Sequence, residues 1–244
     1  MSFINNLPDD YYQSKVVNSF TEHNKNTINY NVPIYQRNPR VNCKLSLNHI
    51  ELIEYFVRLL KPKNFLELGV QFGECTNKII DLIPQYYGVD IEINSNIEFL
   101  INTKPNFKFS HMSTTDFFKI VNEKKLNLDL DMVFIDAFHS HSASYNDFLN
   151  VKDHVNQDGF IFFHDCYPFS EKDTDPGLCG DCYKTSDVIR KYHNDEFEIL
   201  TIPVFPGISI ARKCVKQSAW RNASIKTISK SKFSFFSFLK NIAP

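Results

Sequence analysis

Apolar residues recur at helical spacing at Leu47, Ile50, Ile53, Val57 and Leu60. Pro62 then removes the backbone donor that a further turn would use, so a helix ends there. Phe65 to Leu68 reads as a short buried strand, and a turn containing Gly69 and Gly73 follows it. The alternation then repeats. Helical patterns run from Glu74 to Ile83 (stopped by Pro84), Ser95 to Asn102, from about Thr115, Ala143 to His154 and Thr185 to His193. Strand-like runs cover Tyr86 to Asp90, Phe107 to Ser110, Met132 to Asp136, Gly159 to His164, Phe197 to Ile202 and Ile208 to Arg212. Met132 to Asp136 is the most apolar of these, as expected for a central parallel strand covered on both faces. Strands alternating with helices mean βαβ units. The last two strands are separated by Pro203 and Pro206–Gly207 rather than by a helix, so they are expected to pair antiparallel at one edge. The expected fold is α/β: a Rossmann-like, seven-stranded, mostly parallel sheet with a C-terminal antiparallel hairpin and helices on both faces.

Composition adds a division of the chain. Its 244 residues are 43% hydrophobic and 23% charged, the balance of a globular α/β domain with extensions rather than of a disordered chain. Residues 1–45 are polar, rich in Asn and Tyr, and read as an N-terminal cap; residues 46–212 carry the alternating pattern; residues 213–244 form a basic tail rich in Ser and Phe. The net charge of −1 gives no general attraction to nucleic acid, and none is expected as a partner. Six cysteines do not make a disulfide framework in a chain of this length, and the cytoplasm is the expected location. Cys179 and Cys182 have metal-like or redox-like spacing, but no second pair accompanies them.

Candidate chemistry starts at the loop from Glu67 to Gly73. In open α/β sheets ligands sit at the C-terminal strand ends, near the point where strand order reverses. Glycines there allow positive φ and close backbone approach. The spacing is Gly69-x-x-x-Gly73, with Gln71 where a dinucleotide fingerprint would place glycine. Glu67, ahead of the loop, disfavours a pyrophosphate and suits a cofactor bearing an ammonium and a sulfonium. Asp90 ends the second strand, 17 residues after Gly73, where an acidic side chain accepts from ribose hydroxyls. The pattern therefore favours an adenosyl amino acid over NAD.

Five segments in order, Phe65 to Gly73, Gly88 to Asp90, Met112 to Phe118, Asp131 to His139 and Gly159 to Asp165, resemble the motifs of class I S-adenosylmethionine-dependent methyltransferases. The Asp136-x-x-His139 and His164–Asp165 pairs narrow the resemblance to methyltransferase family 24, which includes sugar and macrolide O-methyltransferases. Gly180 to Lys184 is similar to a Gly-Asp-x-(Trp/Tyr)-Lys stretch of some members, which weakens a zinc or redox reading of Cys179 and Cys182. The resemblance covers residues 47 to 212. It implies that Glu67, Gly69 and Asp90, with Gly73, hold S-adenosylmethionine and that the segment from Ser113 to Asp116 lies beside the adenine.

Methyl transfer to a hydroxyl requires alignment of nucleophile and methyl, and a means of removing the hydroxyl proton. His139 is the candidate base, preferred over His141, with Asp136 as its catalytic companion. Asp136 and Asp165 follow neighbouring strands about 4.8 Å apart, so both carboxylates can converge on one ion. Oxygen ligands suit Mg²⁺ or Mn²⁺. Metal-dependent relatives often carry an acidic residue where this chain has His164, which makes His164 a candidate third ligand and favours an ion that tolerates imidazole.

The expected acceptor is a sugar, a glycan precursor or a similar small metabolite. Two rival readings follow from the same residues: a non-catalytic member that binds a glycan or a partner protein, and a nucleotide-dependent oxidoreductase. Lys232 to Lys240 alternates aromatics with flanking cations. It reads equally as a peripheral membrane contact, as a segment packing on the body or on a second copy in a homo-oligomer, or as a solvated tail.

Overall fold

The computed structural model describes residues 48–203 and 206–214. The expected N-terminal cap and nearly all of the basic tail, including Lys232 to Lys240, lie outside the described residues. Element order is α1 (His49–Leu60), β1 (Asn64–Leu68), α2 (Glu74–Ile79) with a 3-10 turn (Ile80–Leu82), β2 (Gln85–Asp90), α3 (Ser95–Thr103), β3 (Phe107–His111), α4 (Thr114–Glu123), β4 (Leu130–Ile135) and α5 (His141–Val151). There follow β5 (Val155–Phe163), a second 3-10 turn (Glu171–Thr174), α6 (Tyr183–Tyr192), β6 (Phe197–Ile202) and β7 (Ile208–Lys213). The seven strands form one sheet in the order β3-β2-β1-β4-β5-β7-β6. β7 runs antiparallel to both β5 and β6, and the other neighbouring pairs are parallel. Strand order reverses between β1 and β4, which is where a ligand crevice opens above such a sheet.

Local chemistry sets the boundaries. Asn48 and Glu51 form a reciprocal capping box that starts α1, and Lys61 closes it in the left-handed conformation before Pro62. α2 gives way to a 3-10 turn because Pro84 forces Ile83 into extended backbone (φ −123°, ψ 123°). Ser113 and Ser140 cap α4 and α5, so α5 starts two residues earlier than its apolar pattern suggests. β5 also starts earlier, at Val155 rather than Gly159. A register shift against β4 between Leu130 and Met132, with Asp158 left-handed (φ +65°), absorbs the polar residues Asn156 to Asp158. Asp131 pins that corner, accepting from the Lys63 and Asn64 backbone N–H groups and from Asn156.

The core lies on both faces of the sheet. Alternate residues Phe65, Met132, Phe134 and Phe162 pack with Ile53 and Val57 of α1 and Ile79 of α2. Leu66, Leu68, Val133 and Phe163 pack with Phe118 of α4, Phe148 of α5 and Ile189 of α6. No helix among the described residues is long and apolar enough to cross a membrane.

One buried carboxyl in this second core has a measurable consequence. Asp147 of α5 is 2% exposed, and burial pushes its pKa from the usual 3.8 up to about 7, against a hydrogen bond with Thr114. Folding then favours the neutral acid, so the destabilisation is absent below about 3.8 and complete above about 7. Asp147→Asn is expected to melt at a higher temperature than the unaltered chain at pH 8, with the difference shrinking as pH falls to 5. A difference that does not change with pH over that range would show that ionisation of Asp147 is not the cause.

Candidate active site

The exit from β1 is shaped by one close approach. Gly69 has φ +89°, and a Cβ there would lie 2.2 Å from the Asp136 carbonyl oxygen, so the loop passes directly against the turn that follows β4. The Asp136 N–H donates to the Leu68 carbonyl at 2.8 Å and ties the two segments together. Gly73 (φ +75°) begins α2. Between them Gln71 is itself left-handed (φ +48°), although it is not glycine. Asp90 stabilises that conformation: its Oδ2 accepts from the Val70 and Gln71 N–H groups, both at 2.7 Å. Its Oδ1 accepts from Glu92 N–H at 2.9 Å, so three of the roughly four lone-pair sites of the carboxylate are taken, two of them by the loop. Asn94 and Asn96 complete the frame by donating to the Gln71 and Phe72 carbonyls, each at 2.7 Å.

Glu67 lies beneath this loop rather than on its surface. It is 1% exposed, and its Oε2 accepts from Thr76 Oγ1 at 2.5 Å and Tyr86 OH at 2.6 Å. Burial raises its pKa to about 8, against the pull of those two hydrogen bonds. Ser113 accepts from the Asp116 N–H at 3.0 Å and donates to the Asp116 carboxylate at 2.7 Å, as the cap of α4.

At the ends of β4 and β5 four expected residues come together. His164 Nδ1 lies 2.8 Å from Asp136 Oδ1 and 3.3 Å from Asp165 Oδ2. His139 Nδ1 lies 3.1 Å from Asp165 Oδ2, and His139 Nε2 lies 3.7 Å from Asp136 Oδ1. His139 Nδ1 also meets the Leu178 carbonyl, which can only accept, so Nδ1 carries a proton. Asp165 takes the left-handed conformation (φ +56°) as the chain turns out of the sheet. Burial opposes a charge on Asp165, but His139 and His164 outweigh it and hold the carboxyl below the usual range. Burial likewise opposes a charge on His164, and the two carboxylates outweigh it and raise its pKa. His141, the other loop histidine, bonds Thr185 Oγ1 through Nδ1 at 2.9 Å and stacks on Tyr145, and its backbone N–H donates to Asp181 Oδ1.

Two further features belong to the site, neither among its expected site residues. The first is His49, on the first turn of α1, 8% exposed with its ring 4.0 Å from that of His164. Its position on the apolar stripe of α1, in step with Leu52 and Ile53, was the available signal. The second is Gly180 (φ +55°), whose Cβ would meet the His139 carbonyl oxygen at 1.6 Å, so the 166–183 segment closes directly over the histidine. Cys179 and Cys182 help to seat that segment, with their thiols 3.8 Å from the Pro206 and Phe138 carbonyls. Both are buried free thiols.

The residues fit a divalent ion. His49 Nδ1 and His164 Nε2 are buried ring nitrogens without a hydrogen-bond partner. Candidate ligand atoms lie within 4.8 Å of one another in two overlapping groups, Asp136–His139–Asp165 and His49–Asp136–His164. Neither group includes a cysteine.

Residues 66–166 match a family model described as a methyltransferase domain. No curated protein sequence matches the chain. Among solved structures the chain is similar to the O-methyltransferase TomG from Streptomyces achromogenes, solved with SAM. The identity is 13% and the TM-score 0.55, with 84% of this chain and 95% of that one covered. It is also similar to an O-methyltransferase from Bacillus cereus solved with SAH, at 15% identity and a TM-score of 0.53, covering 84% and 96% of the two chains. A third similar structure is the MycE methyltransferase of the mycinamycin biosynthetic pathway, in complex with Mg, SAH and mycinamycin VI. It is 13% identical with a TM-score of 0.52, and 76% of this chain spans about half (53%) of that one. At these identities the likeness speaks for a shared fold.

Proposed function

From the match of residues 66–166 to a methyltransferase domain and the fold shared with O-methyltransferases, we propose that the chain transfers a methyl group from S-adenosylmethionine to a hydroxyl of a sugar, glycan precursor or similar small metabolite. The observation that carries this reading is the contact of Gly69 with the Asp136 backbone, which sets the cofactor loop edge to edge with the histidine–carboxylate cluster. A donor held over the loop and a hydroxyl held over the cluster would then meet without a rearrangement of either.

Gly69 and Gly73 let the backbone approach the cofactor, Asp90 holds the loop that they frame, and Ser113 stands at the start of α4 along the same edge of the sheet. Glu67 supports the loop from below, where its carboxyl accepts from Thr76 of α2 and Tyr86 of β2. His139 takes the acceptor proton at Nε2, while Asp165 and the Leu178 carbonyl keep the Nδ1–H oriented. Asp136, Asp165 and His164 would hold a divalent ion, Mg²⁺ or Mn²⁺, whose chemistry is to lower the pKa of a bound hydroxyl. The segment at 166–183 lies over His139 through Gly180 and is the natural wall of the acceptor site.

Calorimetric titration tests the reading. SAM and SAH are expected to bind with and without Mg²⁺ or Mn²⁺, and NAD is not. Clear binding of NAD with none of SAM or SAH would overturn the cofactor assignment. Methyl transfer that survives chelation would remove the ion from the mechanism and leave the cofactor site standing.

A further inference from the structure

We propose that His49, from the first turn of α1, is a protein ligand of the divalent ion at this site together with Asp136 and His164, and that the centre so formed selects an imidazole-accepting transition ion such as Co²⁺, Zn²⁺ or Fe²⁺ over Mg²⁺. The proposal rests on the reading of a divalent ion at this site and revises its details, with His49 in place of Asp165 in the ligand set and a transition ion in place of Mg²⁺.

The geometry begins with the sidedness of the sheet. Phe134 and Phe162 point to the face covered by α1, and His164, two residues beyond Phe162, continues that alternation. α1 lays its apolar stripe on the same face, with Leu52 and Ile53 buried, and the stripe ends at His49. The Asn48–Glu51 capping box fixes the first turn of the helix, so His49 is held there rather than on a fraying end. One nitrogen of His49, one of His164 and one carboxylate oxygen of Asp136 lie within 4.8 Å of one another. Ligand distances of about 2.0–2.2 Å put two donors of one ion at most about 4.4 Å apart, so small side-chain adjustments close the set.

The state of the nitrogens argues against a merely structural pair. A histidine kept for packing satisfies its ring nitrogens when buried, because an unmet buried polar atom costs about 1–3 kcal/mol. His49 Nδ1 and His164 Nε2 are both buried without a partner, on rings only 4.0 Å apart. An ion between such groups supplies the missing interaction. Two imidazoles and a carboxylate are also a poor set for Mg²⁺, which prefers oxygen, and a good one for borderline transition ions.

The test uses the full chain freed of metal and titrated with Co²⁺, read by its visible absorption. The unaltered chain is expected to bind one Co²⁺, and a large excess of Mg²⁺ should not displace it. His49→Asn is expected to weaken Co²⁺ at least about tenfold while SAH affinity and melting temperature in the absence of metal hold. His49→Cys should add a thiolate-to-cobalt charge-transfer band, which only direct ligation produces. Co²⁺ bound with unchanged affinity and spectrum in both variants would remove His49 from the ligand set and leave the metal reading intact. Displacement of Co²⁺ by an equal concentration of Mg²⁺ would overturn the ion class. If Co²⁺, Mn²⁺ and Mg²⁺ all fail to bind the unaltered chain while SAH binds, the metal reading falls and takes this proposal with it. Should His49→Asn lose its folded state, the charge-transfer band of His49→Cys and the Mg²⁺ competition decide.

Discussion

His139→Gln is expected to lower kcat for methyl transfer about 10²–10⁴-fold, the range associated with losing a positioned general base, while SAH affinity stays within a few-fold. Glutamine keeps a side-chain amide that can still donate toward the Leu178 carbonyl, so the loop retains its contact. It has no nitrogen that accepts a proton at neutral pH. The backbone of residue 139 sits against Gly180, and that contact does not depend on the side chain, so the fold above the site is expected to persist. The split between the two readouts makes the experiment decisive. Single-turnover methyl transfer and calorimetric SAH binding measured on the same preparation separate a lost base from a lost site. Transfer within about tenfold of the unaltered chain would mean that His139 is not the base.

Gly69→Ala is expected to damage the whole site at once. The new methyl group would stand 2.2 Å from the Asp136 carbonyl oxygen, 2.5 Å from its carbon and 2.6 Å from the Ala137 Cα. These are backbone atoms and cannot rotate away. The left-handed conformation at φ +89° adds about 1–2 kcal/mol for a residue with a Cβ, and overpacking adds roughly 1–3 kcal/mol more. Relief requires β1 and the turn after β4 to separate, which moves the cofactor loop and Asp136 together. SAH affinity is therefore expected to fall by more than about tenfold and melting temperature to drop by several degrees. Unchanged SAH binding in a stably folded Gly69→Ala chain would show that the loop does not contact the cofactor at close range.

Much of this arrangement is legible in the chain because it is built from short-range signals. Pro62 and Pro84 end helical patterns, and the apolar run at Met132 to Ile135 has the character of a strand covered on both sides, which is where β4 lies. Asp136, His139, His164 and Asp165 declare themselves by position at strand ends, and the alternation of elements brings them together. Other features depend on contacts across the chain. His49 is separated by more than a hundred residues from His164, and on a helix stripe a histidine looks like any other core residue. The early start of β5 is hidden by Asn156, Gln157 and Asp158, whose polar side chains argue against a strand until the register shift accommodates them. Glu67 shows a further limit: spacing identifies a carboxyl at the loop, but only the Tyr86 and Thr76 hydroxyls reveal that it points inward.

The left-handed backbone of Asp165 sets how freely this site can vary. At φ +56° glycine, asparagine and aspartate are accommodated at the lowest cost. Asp165→Glu, the change that would keep the charge, meets the steric penalty, while Asp165→Asn and Asp165→Gly keep the backbone and surrender the charge. The position thus has no conservative neighbour. A lineage that once gave up this carboxylate would find the backbone content with asparagine or glycine, and the route back would pass through a single amino acid.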